Sequence, residues 1–213
     1  MNSFTFIYII GIFFILNLFQ GFQNIELENQ LIYSSLFILL IGIPHGAIDH
    51  ILLFRKREMS QHTFYGIYLG LIISFVGLWH ITPVISLLFF LLISAFHFGE
   101  SQFSDISFKK ILRYTFYFFW GLCLLSSLMF YNVDELYQIT SYFDDTIILE
   151  KVYNKETISF FFYFTNLITI GSIITLLLKK KINYDRFFSE LFLIFLIHIT
   201  FFLFPFIIGF TLY

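Results

Sequence analysis

The feature that most constrains this chain is a succession of seven apolar stretches, each about as long as a bilayer is thick. They cover approximately residues 4–20, 31–54, 64–80, 82–99, 111–131, 158–178 and 187–212. A helix needs about 20 apolar residues to cross the hydrocarbon core of a membrane. Only 12% of the residues are charged, whereas soluble domains carry about 25%. The pattern predicts an all-α, polytopic transmembrane helix bundle, with about seven helices in a single domain over residues 1–213.

The basic residues indicate which face of the membrane each loop occupies. Acidic residues predominate in the 132–157 loop, which we expect to be an ordered cap or a short interfacial helix. Because basic loops stay in the cytoplasm, we expect a cytoplasmic N-terminus, a multi-pass protein of the cell (inner) membrane, contact with the lipid bilayer and no nucleic-acid partner. Strict alternation of seven helices puts ten of the twelve Lys and Arg residues on that one side: Arg55, Lys56, Arg57, Lys109, Lys110, Arg113, Lys179, Lys180, Lys181 and Arg186.

One apolar stretch contains a cluster of ionisable residues, in the segment Gly42-Ile43-Pro44-His45-Gly46-Ala47-Ile48-Asp49-His50. Each ionisable group at membrane depth costs roughly 2.5–3.5 kcal/mol on insertion scales, so such a cluster indicates a functional site. His45 and Asp49 are four residues apart and share a helix face. Asp49 could therefore orient a metal-bound imidazole. The alternative is a helix-packing motif in which an Asp–His pair satisfies itself.

His50 follows His45 by five residues, about 140° around an ideal helix. The two side chains would converge on one ion only if the backbone departs from helical geometry. A second cluster, Ala95 to Phe103, contains His97 and Glu100, which are three residues apart and can share a helix face. Neutral imidazoles are suitable ligands for iron and zinc.

Three further histidines have simpler interpretations. His62 lies in a basic loop and is most simply a solvated residue, and His80 follows Trp79 at a helix end, where it would anchor the membrane interface. His198, which follows Glu190 by two helical turns, is either a metal ligand or a partner in an interhelical hydrogen bond, and the hydrogen bond is the simpler interpretation.

The first cluster, followed some fifty residues later by His97-Phe98-Gly99, resembles the Brp/Blh family of bacterial and archaeal membrane carotenoid oxygenases. The spacing of the two motifs and the basic loop after the first also fit that family. The segment from Glu190 to Tyr213 is similar to a later helix of the family that is rich in aromatic residues and contains a proline, here Pro205.

The resemblance implies a β-carotene 15,15'-dioxygenase, which splits the central double bond of β-carotene with O₂ to give two molecules of retinal. It implies a non-haem Fe(2+) held by histidines, with His45 and His97 matching two ligands and Asp49 matching an acidic position. His50, Glu100 and His198 are then possible ligands or neighbours of ligands. A family His-x-x-x-His pair would follow Tyr213, so we expect a C-terminally truncated domain.

Three other functions are alternatives to this one, and the sequence argues against the first. A membrane di-iron desaturase or hydroxylase would need His-x-x-His-His clusters, and the six scattered histidines provide none. A non-enzymatic membrane protein could use intramembrane histidines for proton relay or haem ligation. An inactive or incomplete remnant of the oxygenase is the third alternative.

Overall fold

The computed structural model describes residues 8–14, 25–37, 39–40, 60–106, 110–141 and 154–213. Residues 8–14 are helical, and strands are absent from the described residues. The further helices are α1 (Leu27–Phe37), α2 (Gln61–Ile81), α3 (Pro83–Phe103), α4 (Lys110–Tyr131), α5 (Val133–Thr140), α6 (Lys155–Leu178), α7 (Tyr184–Leu203) and α8 (Phe206–Leu212).

Four helices in the described part of the chain are long and apolar enough to cross a membrane. They are α3, the Ile111–Tyr131 part of α4, α6 and α7, and the Tyr65–Ile81 part of α2 is a shorter apolar helix. This confirms the prediction of an all-helical membrane bundle. Helix α2 ends at Ile81 and α3 begins at Pro83, so only Thr82 separates them.

Side-chain caps set where three of these helices begin. The Asn154 side chain accepts a hydrogen bond from the Thr157 backbone N–H at 2.7 Å, Asn183 from that of Arg186 at 2.8 Å, and Ser60 from that of Thr63 at 3.2 Å. Each cap satisfies an N–H that has no partner inside the helix. The helices begin at residues 61, 155 and 184, ahead of the apolar stretches predicted to start at 64, 158 and 187.

The last apolar stretch forms two helices, so the prediction of one segment over 187–212 was wrong. Pro205 has no N–H and disfavours the helical conformation of the residue before it. Accordingly, Phe204 is extended, with φ −110° and ψ 148°. The carbonyl of Phe201 cannot receive a hydrogen bond from Pro205, and the side chain of Asn132 donates to it at 3.0 Å instead.

Helix α8 is fixed by side chains from two distant elements. Glu135 Oε2 accepts a hydrogen bond from the Phe206 backbone N–H at 2.6 Å, and Gln30 Oε1 accepts one from Ile207 at 3.3 Å. Gln30 also donates to Glu135 Oε1 at 3.0 Å. A carboxylate at a helix N-terminus satisfies free N–H groups and interacts favourably with the helix dipole. The 132–157 loop thus contributes a short helix, α5, that holds α8 in place.

Helix α4 lies at the centre of the bundle, where it contacts α3, α5, α6, α7 and α8. Its Trp120 and Leu128 are almost fully buried and belong to the main apolar core, together with Phe103 of α3 and Phe201 of α7. The core packing therefore determines which side of α3 faces α4. The opposite side of α3 is left for other contacts.

Candidate functional site

His97 lies in the last two turns of α3, with its side chain exposed. Glu100 is also exposed on the same helix, and residues three apart share a helix face. The ring centroids of His97 and the neighbouring Phe98 are 6.3 Å apart. The buried residues Ala95 and Gly99 flank His97 in the sequence. The backbone of α3 is thus embedded in the bundle, while the imidazole points away from the core.

The glycine of the His97-Phe98-Gly99 motif permits a close contact between two helices. A Cβ atom on Gly99 would collide with the Tyr117 carbonyl of α4. A Cβ atom on Gly121 of α4 would collide in the same way with the carbonyl of Ala95. Small residues let membrane helices approach at backbone distance. The position of His97 is therefore tied to the backbone of α4.

A charged group joins the end of α3 to the beginning of α7. Glu190 is only 2% exposed, and its carboxylate oxygens both lie 2.9 Å from Nε2 of Gln102. Arg186 Nε is 2.7 Å from Glu190 Oε1, and its Nη2 donates to the backbone carbonyl of Gln102 at 2.8 Å. Asp105 is 3.7 Å from the same guanidinium. A buried carboxylate requires this kind of pairing.

We call Gln102, Arg186 and Glu190 the α3–α7 clamp. The guanidinium of Arg186 also lies over the ring of Phe103, 5.6 Å from its centroid. Gln102 and Phe103 follow His97 by five and six residues. The clamp and the Gly99 contact therefore hold the same segment of α3 from two sides.

Sequence reasoning did not identify the clamp. Glu190 was considered only as a neighbour of His198, whereas the structure pairs it with Gln102, which is 88 residues away in the chain. The available signal was the i, i+4 spacing of Arg186 and Glu190, which is typical of a helical ion pair. The sequence pattern did not indicate that Gln102 is the third residue of the clamp.

His198 lies in a polar seam between α4, α6 and α7. Its Nδ1 is 2.7 Å from the Ile194 carbonyl, and because a carbonyl oxygen can only accept, Nδ1 donates this hydrogen bond. Nε2 faces Ser127 Oγ of α4 at 3.4 Å, and the rings of Tyr131 and Phe162 are 6.0 and 5.5 Å away. The interhelical contact agrees with the simpler interpretation of His198.

Nearby side chains extend this seam. The hydroxyls of Ser126 and Thr165 are 2.7 Å apart, Ser127 donates to the Cys123 carbonyl at 2.7 Å, and Cys123 Sγ is 3.2 Å from Asn166 Oδ1. The Ser126–Thr165 and Cys123–Asn166 contacts join α4 to α6. His198 therefore packs against α4 and α6, whereas His97 lies on the exposed face of α3. The structure does not bring the two histidines together.

The remaining candidates fall into two groups. His45, Asp49 and His50 lie outside the described residues, and their predicted roles stay predictions. His62 and His80 are exposed on α2, at its second residue and next to its last. His62 therefore lies in the first turn of a helix and not in the predicted loop, and the interfacial role of His80 stays a prediction.

The described residues contain a suitable donor for an iron ion but not a complete set of ligands. Within the described residues, His, Cys, Asp and Glu form no group of three or more that could hold a metal. His97 nevertheless has the donor chemistry that iron accepts, on a helix whose position is fixed. It fits as one ligand of a set whose proposed second member, His45, lies outside the described residues.

Comparisons with known proteins point to one family. The family model described as beta-carotene 15,15'-dioxygenase matches residues 36–213. A curated relative, the beta-carotene 15,15'-dioxygenase of an uncultured marine bacterium (66A03), is 40% identical over 72 residues. That alignment covers 32% of this chain and 26% of the relative, so the matched part spans about a quarter of that protein. No solved structure matches.

Proposed function

This chain belongs to the beta-carotene 15,15'-dioxygenase family, and we propose that it cleaves the central 15,15' double bond of β-carotene with O₂ to give two molecules of retinal. In this reaction one C=C bond is broken and each of its carbons receives one oxygen atom of O₂. The observation that carries the proposal is the family match, because it spans both histidine motifs. The bundle of apolar helices agrees with a substrate that dissolves in the bilayer, from which we propose lateral entry in the inner membrane.

We propose that Fe(2+) is the cofactor and that His45 and His97 are two of its ligands, with Asp49 orienting the first. When bound, the iron would supply the activation of O₂. Two contacts fix the position of α3, which carries the proposed ligand His97: Gly99 packs α3 against the α4 backbone, and Gln102 ties the end of α3 to Glu190. His50 and Glu100 remain additional candidates. His198 is a weaker one, because it faces α4 and α6.

The test is to express the full-length protein in cells that accumulate β-carotene and to measure retinal by chromatography. His45→Ala and His97→Ala should each reduce retinal to the background of cells without the gene, because each removes a ligand. His62→Ala is the matched control and should retain retinal formation, because His62 is exposed at the start of α2. Membrane insertion of each variant is verified by immunoblotting of membranes.

A second readout examines the metal directly. Iron per protein, measured by elemental analysis after purification, should fall in His45→Ala and His97→Ala and remain unchanged in His62→Ala. Retinal at the parental level in His97→Ala would contradict the assignment of His97. An inserted parental protein with iron and no retinal would contradict the proposed reaction.

A further inference from the structure

An apolar cavity of about 280 Å³ lies between α2, α3, α4, α5 and α8. Its walls include Trp79, Leu87 and Phe90 from α2 and α3, and Leu128, Met129 and Phe210 from α4 and α8. The hydroxyl of Thr140, which also lines it, is hydrogen-bonded to the carbonyl of Leu136 within its own helix at 2.8 Å. A cavity with this lining favours a hydrocarbon ligand over water.

The volume of this cavity suits a substituted carbon ring. A cavity of about 150 Å³ with apolar walls takes up benzene. The cavity in this protein is nearly twice as large, which leaves room for a six-membered ring that bears methyl groups. Ligand pockets of proteins are likewise lined mainly by apolar and aromatic side chains.

A row of aromatic rings leads from this cavity towards His97. Phe90, which lines the cavity, lies 6.2 Å from Phe210 between ring centroids. Phe210 lies 6.1 Å from Phe98, the neighbour of His97, and Phe98 lies 5.3 Å from Tyr213. These ring contacts connect the cavity lining to Phe98, the sequence neighbour of His97, through apolar side chains.

The distance along α3 matches half of a carotenoid. Phe90 and His97 are seven residues apart, so they lie on one face of α3, with a separation of about 10.5 Å at a rise of 1.5 Å per residue. An extended backbone advances about 1.2 Å per bond, so the nine bonds between the end ring and the central carbon of β-carotene cover about 11 Å. A ring in the cavity, with its polyene parallel to the axis of α3, would therefore put the central double bond level with His97.

We propose that this cavity is the binding site for one cyclic end group of the carotenoid and that its distance from His97 selects the central double bond for cleavage. The inference rests on the proposed function, because it takes His97 as the marker of the reacting bond. Leu87 and Met129 then determine specificity by leaving space for the ring. They act on the position of the substrate and do not touch the reacting atoms.

The test separates binding from catalysis by using a His97→Ala background of the full-length protein. Each variant is purified from cells that accumulate β-carotene, and bound carotenoid per protein is measured by visible absorbance. Leu87→Trp on α3 and Met129→Trp on α4 should each reduce bound β-carotene at least tenfold, because the indole fills the ring site. The matched control is Leu88→Trp, since Leu88 is 41% exposed and lies outside the cavity lining.

The same substitutions in the active protein should lower retinal and give longer aldehydes from off-centre cleavage. Unchanged carotenoid binding in both Leu87→Trp and Met129→Trp would overturn the cavity inference, and so would retinal at the parental level with no longer aldehydes. Binding that responds to both substitutions, in a protein whose active form makes no retinal, would support the cavity and contradict the proposed function. Unfolding temperature, compared with that of Leu88→Trp, shows that each variant is folded.

Discussion

At the scale of single residues, Glu190 shows how a buried carboxylate is tolerated inside a membrane helix. Its charge is matched by Arg186 at 2.7 Å, and Gln102 donates to it from α3. A buried charge without such partners would be costly. The clamp therefore exists only when α3 and α7 are packed in register. This coupling links the position of His97 to a residue that makes no contact with it.

We expect Glu190→Gln to destabilise the protein by roughly 1–3 kcal/mol, the cost of leaving buried polar groups poorly paired. The substitution keeps the shape of the side chain but removes the charge that faces Arg186. The matched control is Glu156→Gln, an exposed position in the first turn of α6, which should change stability little. Thermal unfolding in detergent measures both, and equal unfolding temperatures would show that the clamp does not stabilise the fold.

At the scale of helices, the sequence predicted well which described segments are helical and apolar, and it predicted less well where each helix begins and ends. The three helices with side-chain caps each begin three residues before the apolar stretch, because the first turn is polar and hydropathy does not detect it. Pro205 was visible in the sequence, but its effect depends on Asn132, which donates to the freed carbonyl of Phe201 from another helix. Whether a proline kinks or interrupts a helix is decided by such distant partners.

The contact between α3 and α4 gives a prediction about a helix pair. Gly99→Ala should destabilise the protein by about 1–3 kcal/mol or more, as overpacking does, since the new methyl group would meet the backbone of Tyr117. The matched control is Gly171→Ala in α6, where an added Cβ meets nothing within 4 Å. There, Ala should be neutral or stabilising by up to about 1 kcal/mol, because it is a better helix former. Equal unfolding temperatures for the two variants would contradict the close approach of α3 and α4.

At the scale of the whole molecule, the candidate site could be predicted only in part. The resemblance of the two motifs to the oxygenase family made His97 a candidate ligand, and that role stays a prediction. The histidine is fixed by the carbonyl of Tyr117, 20 positions further along the chain, and by the clamp residues Arg186 and Glu190, about 90 positions further along. The apolar cavity likewise forms only where α2, α3, α4, α5 and α8 meet, and no local sequence pattern predicts it.

The predicted orientation in the membrane can be tested with introduced cysteines, because the native Cys123 is the only cysteine of the chain and is 4% exposed. Gln138 on α5 and Lys179 after α6 are both exposed, and the 24 residues of α6 lie between them. A helix of that length extends about 36 Å, enough to cross a hydrocarbon core of about 30 Å. The basic loop after α6 should stay in the cytoplasm.

A membrane-impermeant maleimide should therefore label Gln138→Cys in intact spheroplasts and label Lys179→Cys only after the membrane is opened. The parental protein, whose thiol is buried, is the control and should not react in either case. The reverse pattern would mean that the chain is inserted with the opposite orientation. Labelling of both positions from one side would mean that α6 does not cross the bilayer, and the alternation of the helices after it would have to be revised. The two labels together thus examine the orientation and the crossing of α6 separately.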